Sequence, residues 1–138
     1  MNYLLDTNVL SEPLKIRPDY MVMERLKEHQ NHIATATVVL HELYFGCYQL
    51  PSSRKKETIK TYIKDVVSAN IPIYPYNEDA AEWHARERAR LQSTGQTPPF
   101  VDGQIAAIAA INDLILVTRN IADFHLFSDL QTQSWHSS

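Results

Sequence analysis

Short apolar runs alternate along this chain with longer segments whose apolar residues recur at helical spacing, and the first run ends on an acid. Tyr3-Leu4-Leu5 leads straight into Asp6-Thr7-Asn8. The run reads as a buried strand with Asp6 at its end. Alternation of this kind argues for an α/β domain with a mainly parallel sheet. Ligands of open sheets in that class bind outside the carboxyl ends of the strands, so an acid at such an end is placed for chemistry. Asp, Thr and Asn also cap helices well, and taken alone Asp6 reads as an N-cap, a role that Thr7 or Asn8 fills equally. Three later acids, Glu42, Asp102 and Asp123, shift that balance, because their contexts return them to the same end of a sheet.

The rest of the chain fills in the pattern. Asp19 is placed to cap a helix from Tyr20 to about His29. Ile33-Ala34-Thr35-Ala36 is a second strand, and Thr37 caps a helix that carries Glu42 near its middle, off the apolar stripe of Leu40, Leu43 and Tyr44. After Pro51-Ser52-Ser53 a long helical segment runs from about Arg54 to Ser68, with Ile59, Tyr62, Ile63, Val66 and Val67 in register. Residues 71–74 are a third strand, of edge character because of Pro72 and Pro75. Asn77 caps a helix through Leu91, and Gly95 ends it. Val101 to Asn112 is rich in Ala and Ile, which predicts a helix buried on several sides. Ile115-Leu116-Val117-Thr118 is the strongest strand. The tail through Trp135 adds a last edge strand or packs down. No repeat or linker interrupts the 138 residues, so a single domain over 1–138 is expected.

Composition excludes several classes. Apolar residues make up 44% of the chain, a globular proportion, yet no run of 18 apolar residues exists to span a membrane. MNYLLDTNVL meets Asp6 too early to serve as a signal peptide. Cys47 is the only cysteine, so there is no internal disulfide and no thiolate zinc site, and the cytoplasm is the expected compartment. Three glycines leave no phosphate-cradling loop. The net charge of -3 means that any nucleic-acid contact needs local basic patches, or a metal to offset the acids. The candidate patches, Arg54-Lys55-Lys56 with Lys60 and Lys64, and Arg86, Arg88 and Arg90, read first as solvated helix faces with i,i+4 pairs. The six histidines form no ligand motif, and Trp83 and Trp135 read as packing residues.

If the first and fourth strands are adjacent, Asp6, Asp102 and Asp123 reach one rim, and Glu42 points in from the neighbouring helix. Thr7, Asn8, Thr118 and Asn120 add polar groups there. Carboxylates that close repel one another unless one is protonated or a cation intervenes. Hard oxygen donors favour Mg²⁺, with Mn²⁺ as the alternative, over zinc. Asp6 and Asp102 are the expected direct ligands, with Glu42 and Asp123 acting through water or on a second ion. Such a site polarises a phosphoryl oxygen and generates a hydroxide for in-line attack. The competing reading of the same four residues is helix caps and surface acids, for Asp102 in particular, since an acid at a helix start complements the dipole.

Four blocks in order, YLLDTNVL, TVVLHELYFG, FVDGQIAAIAA and ILVTRNIADF, together resemble the PIN-domain ribonucleases, specifically the VapC-like toxins of type II toxin–antitoxin pairs. The resemblance covers nearly the whole chain. Val-Thr-x-Asn followed by Asp-Phe is its most telling part. It implies a PIN-like α/β/α three-layer domain that cleaves RNA with Mg²⁺ or Mn²⁺. By position, Asp6, Glu42, Asp102 and Asp123 match the family's acidic quartet, and Thr118 and Asn120 match polar residues of the same site. It also implies a homodimer, and a cognate antitoxin that wraps the toxin and represses their operon. The departures are His41, where an apolar or small residue is expected, and Val101, an additional residue between Phe100 and Asp102.

Other classes stay in view. A phospho-aspartate protein with Asp6 as nucleophile wants a second acid where Asn8 stands, and a Lys where Arg119-Asn120 follows the strand. A nuclease-like binding module without activity is at odds with an intact quartet. A DNA-directed nuclease uses the same metal chemistry on the other backbone.

Overall fold

The strands form where the sequence leaves the backbone no solvent. Leu4, Leu5, Leu116 and Val117 have no exposed surface, as strands covered on both faces require. The structure, a computed structural model, describes residues 2–137. Its five strands are β1 (Tyr3–Leu5), β2 (Ile33–Ala36), β3 (Ile73–Tyr74), β4 (Ile115–Val117) and β5 (Thr132–Gln133). They lie in the order β3-β2-β1-β4-β5, and every pairing is parallel. The helices are α1 (Thr7–Leu10), α2 (Tyr20–Glu28), α3 (Thr37–Tyr48), α4 (Arg54–Thr61), α5 (Glu78–Ser93) and α6 (Phe100–Ile111). None is long and apolar enough to cross a membrane among the described residues.

The strand order places the site. From the central strand β1 the chain moves outward to β2 and β3, then returns to the far side of β1 for β4 and β5. Connections leaving in opposite directions put helices on both faces, and they part at the carboxyl ends of β1 and β4. Leu5 sits opposite Val117, and the Asp6 N–H donates to the Val117 carbonyl at 3.0 Å. Asp6 and Thr118 therefore leave the sheet side by side. The Ala and Ile residues of α6 are buried from Ile105 to Ala109, so this helix is wrapped as its composition predicts.

Local signals account for most boundaries. Asp19 caps α2 through the N–H groups of Met21 and Val22, and Asn77 caps α5 through that of Ala80. Gly95 takes φ +77° just past α5, a conformation that favours glycine. One expectation is corrected, and the helical segment from Arg54 to Ser68 is borne out with a change of pitch. Thr37 is the first helical residue of α3 rather than its cap. Ala36 is still paired with Tyr74 when α3 begins, so the last residue of β2 doubles as the cap position and has no side chain to close it. The segment from Arg54 to Ser68 is not one regular α-helix, because from Tyr62 to Ser68 it widens into π turns. There the Tyr62 hydroxyl donates to the Leu10 carbonyl at 2.6 Å, while Ile63 and Val67 stay buried.

The tail does form an edge strand, β5, paired to β4. Beyond it Trp135 is buried against the rings of Tyr3 and His29. A polar clasp locks this end to the start of the chain. The Glu12 side chain is 3% exposed and meets His136 at 3.2 Å and Lys15 at 3.1 Å, while the Asp19 N–H donates to it at 2.7 Å. Burial alone would raise the Glu12 carboxyl, but these partners together hold it below its usual range. Asp19 completes the clasp by accepting from the Ser137 N–H and hydroxyl at 3.0 and 2.7 Å. A carboxyl lowered in the fold stabilises at neutral pH and loses that contribution as pH falls through the folded value. Glu12→Ala is therefore expected to destabilise the protein by about 2 kcal/mol at pH 7, with the gap to the parent narrowing in acid. Thermal unfolding followed by Trp135 fluorescence at pH 7 and pH 4 checks both points.

Candidate active site

The cleft at the parting of β1 and β4 is lined by three of the four acids that the sequence brings forward, Asp6, Glu42 and Asp102; Asp123 is not among its lining residues. Asp6, Thr7, Asn8, Ser11, Glu42, Asp102 and Asn120 line a cavity of about 380 Å³. Asp6 is 7% exposed and both of its oxygens are held. The Thr7 N–H donates to Oδ1 at 2.7 Å, and the Thr118 hydroxyl donates to Oδ2 at 2.8 Å. Both readings of Asp6 thus hold at once: it caps α1 and faces the cleft. Thr118 is the hub. Its Oγ1 also accepts from Asn8 Nδ2 at 3.4 Å and from the Asn120 N–H at 3.1 Å. One donor and two acceptors exhaust a hydroxyl, so its orientation is fixed. Asn8 Oδ1 then accepts from the Arg119 N–H at 3.0 Å, tying the loop after β4 to α1.

Glu42 projects from the middle of α3, and Thr7 Oγ1 donates to its Oε1 at 3.0 Å. Asp102 stands in the first turn of α6, where Pro99 at the cap position has no side chain to bond the free N–H groups. Asp102 makes no hydrogen bond among the described residues, so its oxygens are free. The residue after it is Gly103, which is buried where a Cβ would overlap the His84 ring. That contact lets α6 approach α5 closely. Asp123 lies in a single 3₁₀ turn after β4 and is exposed. Val101 does not carry Asp102 out of the cleft.

The charges of the other three acids bear on Asp102. The Asp102 carboxyl is pushed up to about 6, first by burial and then by the charges of Asp6, Asp123 and Glu42. The helix dipole works in the opposite direction and is overcome. Burial also raises Asp6, against the two hydrogen bonds it accepts. The donor set suits a hard divalent cation, since it is all oxygen and short of positive charge. Among the described residues no three His, Cys, Asp or Glu side chains form a ready cation cage. Mg²⁺ does not need one, because it keeps several waters and takes one or two carboxylates directly.

Two residues at the site are not singled out by the sequence reading. Ser11 lines the cleft and donates to the Thr7 carbonyl at 2.8 Å. Thr35, fully buried, donates to the Leu5 carbonyl at 2.9 Å, pinning the end of β1 one residue before Asp6. A lone Thr inside Ile33-Ala34-Thr35-Ala36 is the signal for the latter.

Comparison with known proteins places this geometry. The PIN domain model matches residues 3–127. The tRNA(fMet)-specific endonuclease VapC of Shigella flexneri is 30% identical over 135 residues, 98% of each chain. Toxin FitB of Neisseria gonorrhoeae is 27% identical, over 96% of this chain and 98% of that one. Among solved structures, FitAB bound to an IR36 DNA fragment superposes with a TM-score of 0.89 at 26% identity, covering 99% of this chain and 97% of the other. VapBC2 from Rickettsia felis, bound to a DNA fragment from their promoter, gives 0.83 at 26% identity over 98% and 99%. The α/β architecture is thus a shared one, and this chain belongs to the PIN-domain family, among its VapC-like members.

Proposed function

We propose that this chain, a single PIN-like domain over residues 1–138, is a Mg²⁺-dependent endoribonuclease and the toxin of a toxin–antitoxin pair, with Mn²⁺ able to replace Mg²⁺. The observation that carries the reading is the gathering of Asp6, Glu42 and Asp102 in one cleft whose lining has no positively charged side chain. An acidic cleft of this kind repels a phosphodiester unless a cation is held there. Asp6 and Asp102 would hold it directly, with Glu42 and Asp123 acting through water or on a second ion, and the chemistry it would supply there is charge neutralisation, polarisation of a phosphoryl oxygen and acidification of water.

The chain's own residues supply position. Thr118 and the Thr7 N–H fix both oxygens of Asp6. Thr7 orients Glu42. Asn8 and Asn120 hold the rim through Thr118. The relatives' names, ribonuclease, endonuclease and toxin, support RNA as substrate. The solved relatives named VapBC2 and FitAB support a cognate antitoxin as partner. A homodimer acting in the cytoplasm completes the proposal.

Purified protein incubated with total cellular RNA is expected to cut at a few sites with Mg²⁺ and not with chelator. Asp6→Asn and Asp102→Asn are each expected to lower cleavage by at least about a hundredfold while staying folded. Full activity in either folded variant overturns the ligand assignment. Thr118→Val is expected to cost about tenfold through a mis-set Asp6. Asp102 also makes a stability prediction. Its folded value of about 6 exceeds the ordinary 3.8, so its contribution is full below 3.8 and lost as pH rises through about 6. Asp102→Asn is therefore expected to raise the melting temperature of the metal-free protein at pH 7 by roughly 3 °C, allowing for solvent screening, and to have little effect near pH 4. Calorimetry in chelator at both pH values checks the sign. Expression without the antitoxin is expected to arrest growth; unchanged growth with abundant folded protein counts against the toxin role.

A further inference from the structure

Helix α5 carries three arginines on successive even positions, and one is treated differently from the others. Arg86 meets Glu82 at 3.4 Å, and Arg90 grips Glu87 at 2.9 Å. Arg88 has no carboxylate within ion-pair distance among the described residues. Its guanidinium instead lies 5.1 Å from the centre of the Phe100 ring. Phe100 begins α6 and is 51% exposed, although a ring of that size is usually packed away. Its inner side is backed by the His84 ring at 4.7 Å, and His84 is anchored in turn by the Tyr76 hydroxyl, 2.8 Å from Nδ1. The exposed aromatic face is thus rigidly supported.

Beside it opens a shallow cleft lined by Arg88, Gln92, Gln96 and Phe100. Gln96 accepts from Thr94 through Oε1 and keeps its amide N–H groups free. The Gln92 amide makes no side-chain hydrogen bond among the described residues. A supported aromatic face, an unpaired guanidinium and two free amides are the groups that stack on a base, hold a phosphate and read a base edge. Phe100 and Asp102 lie two residues apart in the first turn of α6, so their side chains leave the helix on nearly opposite flanks.

Resting on the nuclease reading, we propose that Phe100, Arg88, Gln92 and Gln96 form a nucleotide subsite at the start of α6, across the helix from Asp102. It takes an unpaired base of single-stranded RNA on the Phe100 ring and the adjoining phosphate on Arg88. A base held in a duplex cannot reach the ring, so the subsite selects single-stranded segments. Charge complementarity favours this occupant, because Arg88 has no carboxylate partner among the described residues, while every charged side chain lining the acidic cleft is a carboxylate.

The test uses the full-length protein. In the Asp102→Asn background, binding of a short unstructured fluorescent RNA and of the same sequence in a duplex is measured across salt concentrations. In the otherwise unaltered protein, kcat and KM for the unstructured RNA are measured with Mg²⁺. Phe100→Leu, which keeps apolar packing and removes the ring, is expected to weaken single-strand binding and raise KM about tenfold, with duplex binding unchanged. Arg88→Gln is expected to weaken single-strand binding and reduce its salt slope by about one. Unchanged affinity and KM in both variants, while the parent still cleaves, overturns the subsite and leaves the nuclease reading standing. Ring-dependent single-strand binding by a parent that cleaves nothing does the reverse. A Phe100→Leu variant that changes oligomeric state but not RNA affinity identifies the ring as a protein contact and also overturns the subsite.

Discussion

The hydrogen bond from Thr118 to Asp6 is the interaction on which the rest of the structure turns. It joins residues 112 apart in sequence, and it forms only because β4 lies beside β1 with Leu5 opposite Val117. A shift of one residue between those strands would turn Thr118 to the other face. Asp6 would then lose the donor that fixes its second oxygen, and the loop tied through Asn8 and Arg119 would come away from α1. Leu4, Leu5, Leu116 and Val117 are fully buried, so such a shift would be costly because it breaks their close packing on both faces of the sheet. The hydrophobic pattern of two three-residue strands thus sets the position of a carboxylate.

Much of this was legible in the sequence because its signals are local. The run Tyr3-Leu4-Leu5 ending on Asp6, the strand ending on Thr118, and the caps at Asp19 and Asn77 each depend on a few neighbouring residues. The gathering of Asp6, Glu42 and Asp102 on one cleft followed once β1 and β4 were taken as adjacent. What escaped depends on pairings that no window of sequence contains. Glu12 looks like an ordinary surface acid until His136, 124 residues later, arrives beside it. Gly103 looks like a weak point in a helix until His84 is seen pressed against it. Thr37 misled because a cap residue next to a strand end is only a cap if the strand stops first.

The electrostatics of the cleft run against stability. Asp102 could have served as a helix-dipole partner, with its carboxyl lowered and the fold strengthened. Instead it sits half-buried, without a hydrogen bond, among three acids that raise it. The molecule offsets this elsewhere with ordinary means: a wrapped α6, the Glu12 clasp, and Trp135 packed on Tyr3 and His29. Electrostatic strain of this sort is what the proposed cation would relieve.

The spread of the site along the chain also sets an order of events. Synthesis delivers the amino end first, so β1 and Asp6 emerge long before their partner strand. During most of translation the β4 edge of β1 is bare and Asp6 lacks the hydroxyl that orients it. Parallel pairing across so many residues is slow to form and comes late. The cleft closes only after β4 and the turn holding Asp123 have left the ribosome. A nascent chain of this protein therefore carries its acids without a site, and the cleft assembles only when the chain through Asp123 is free to fold.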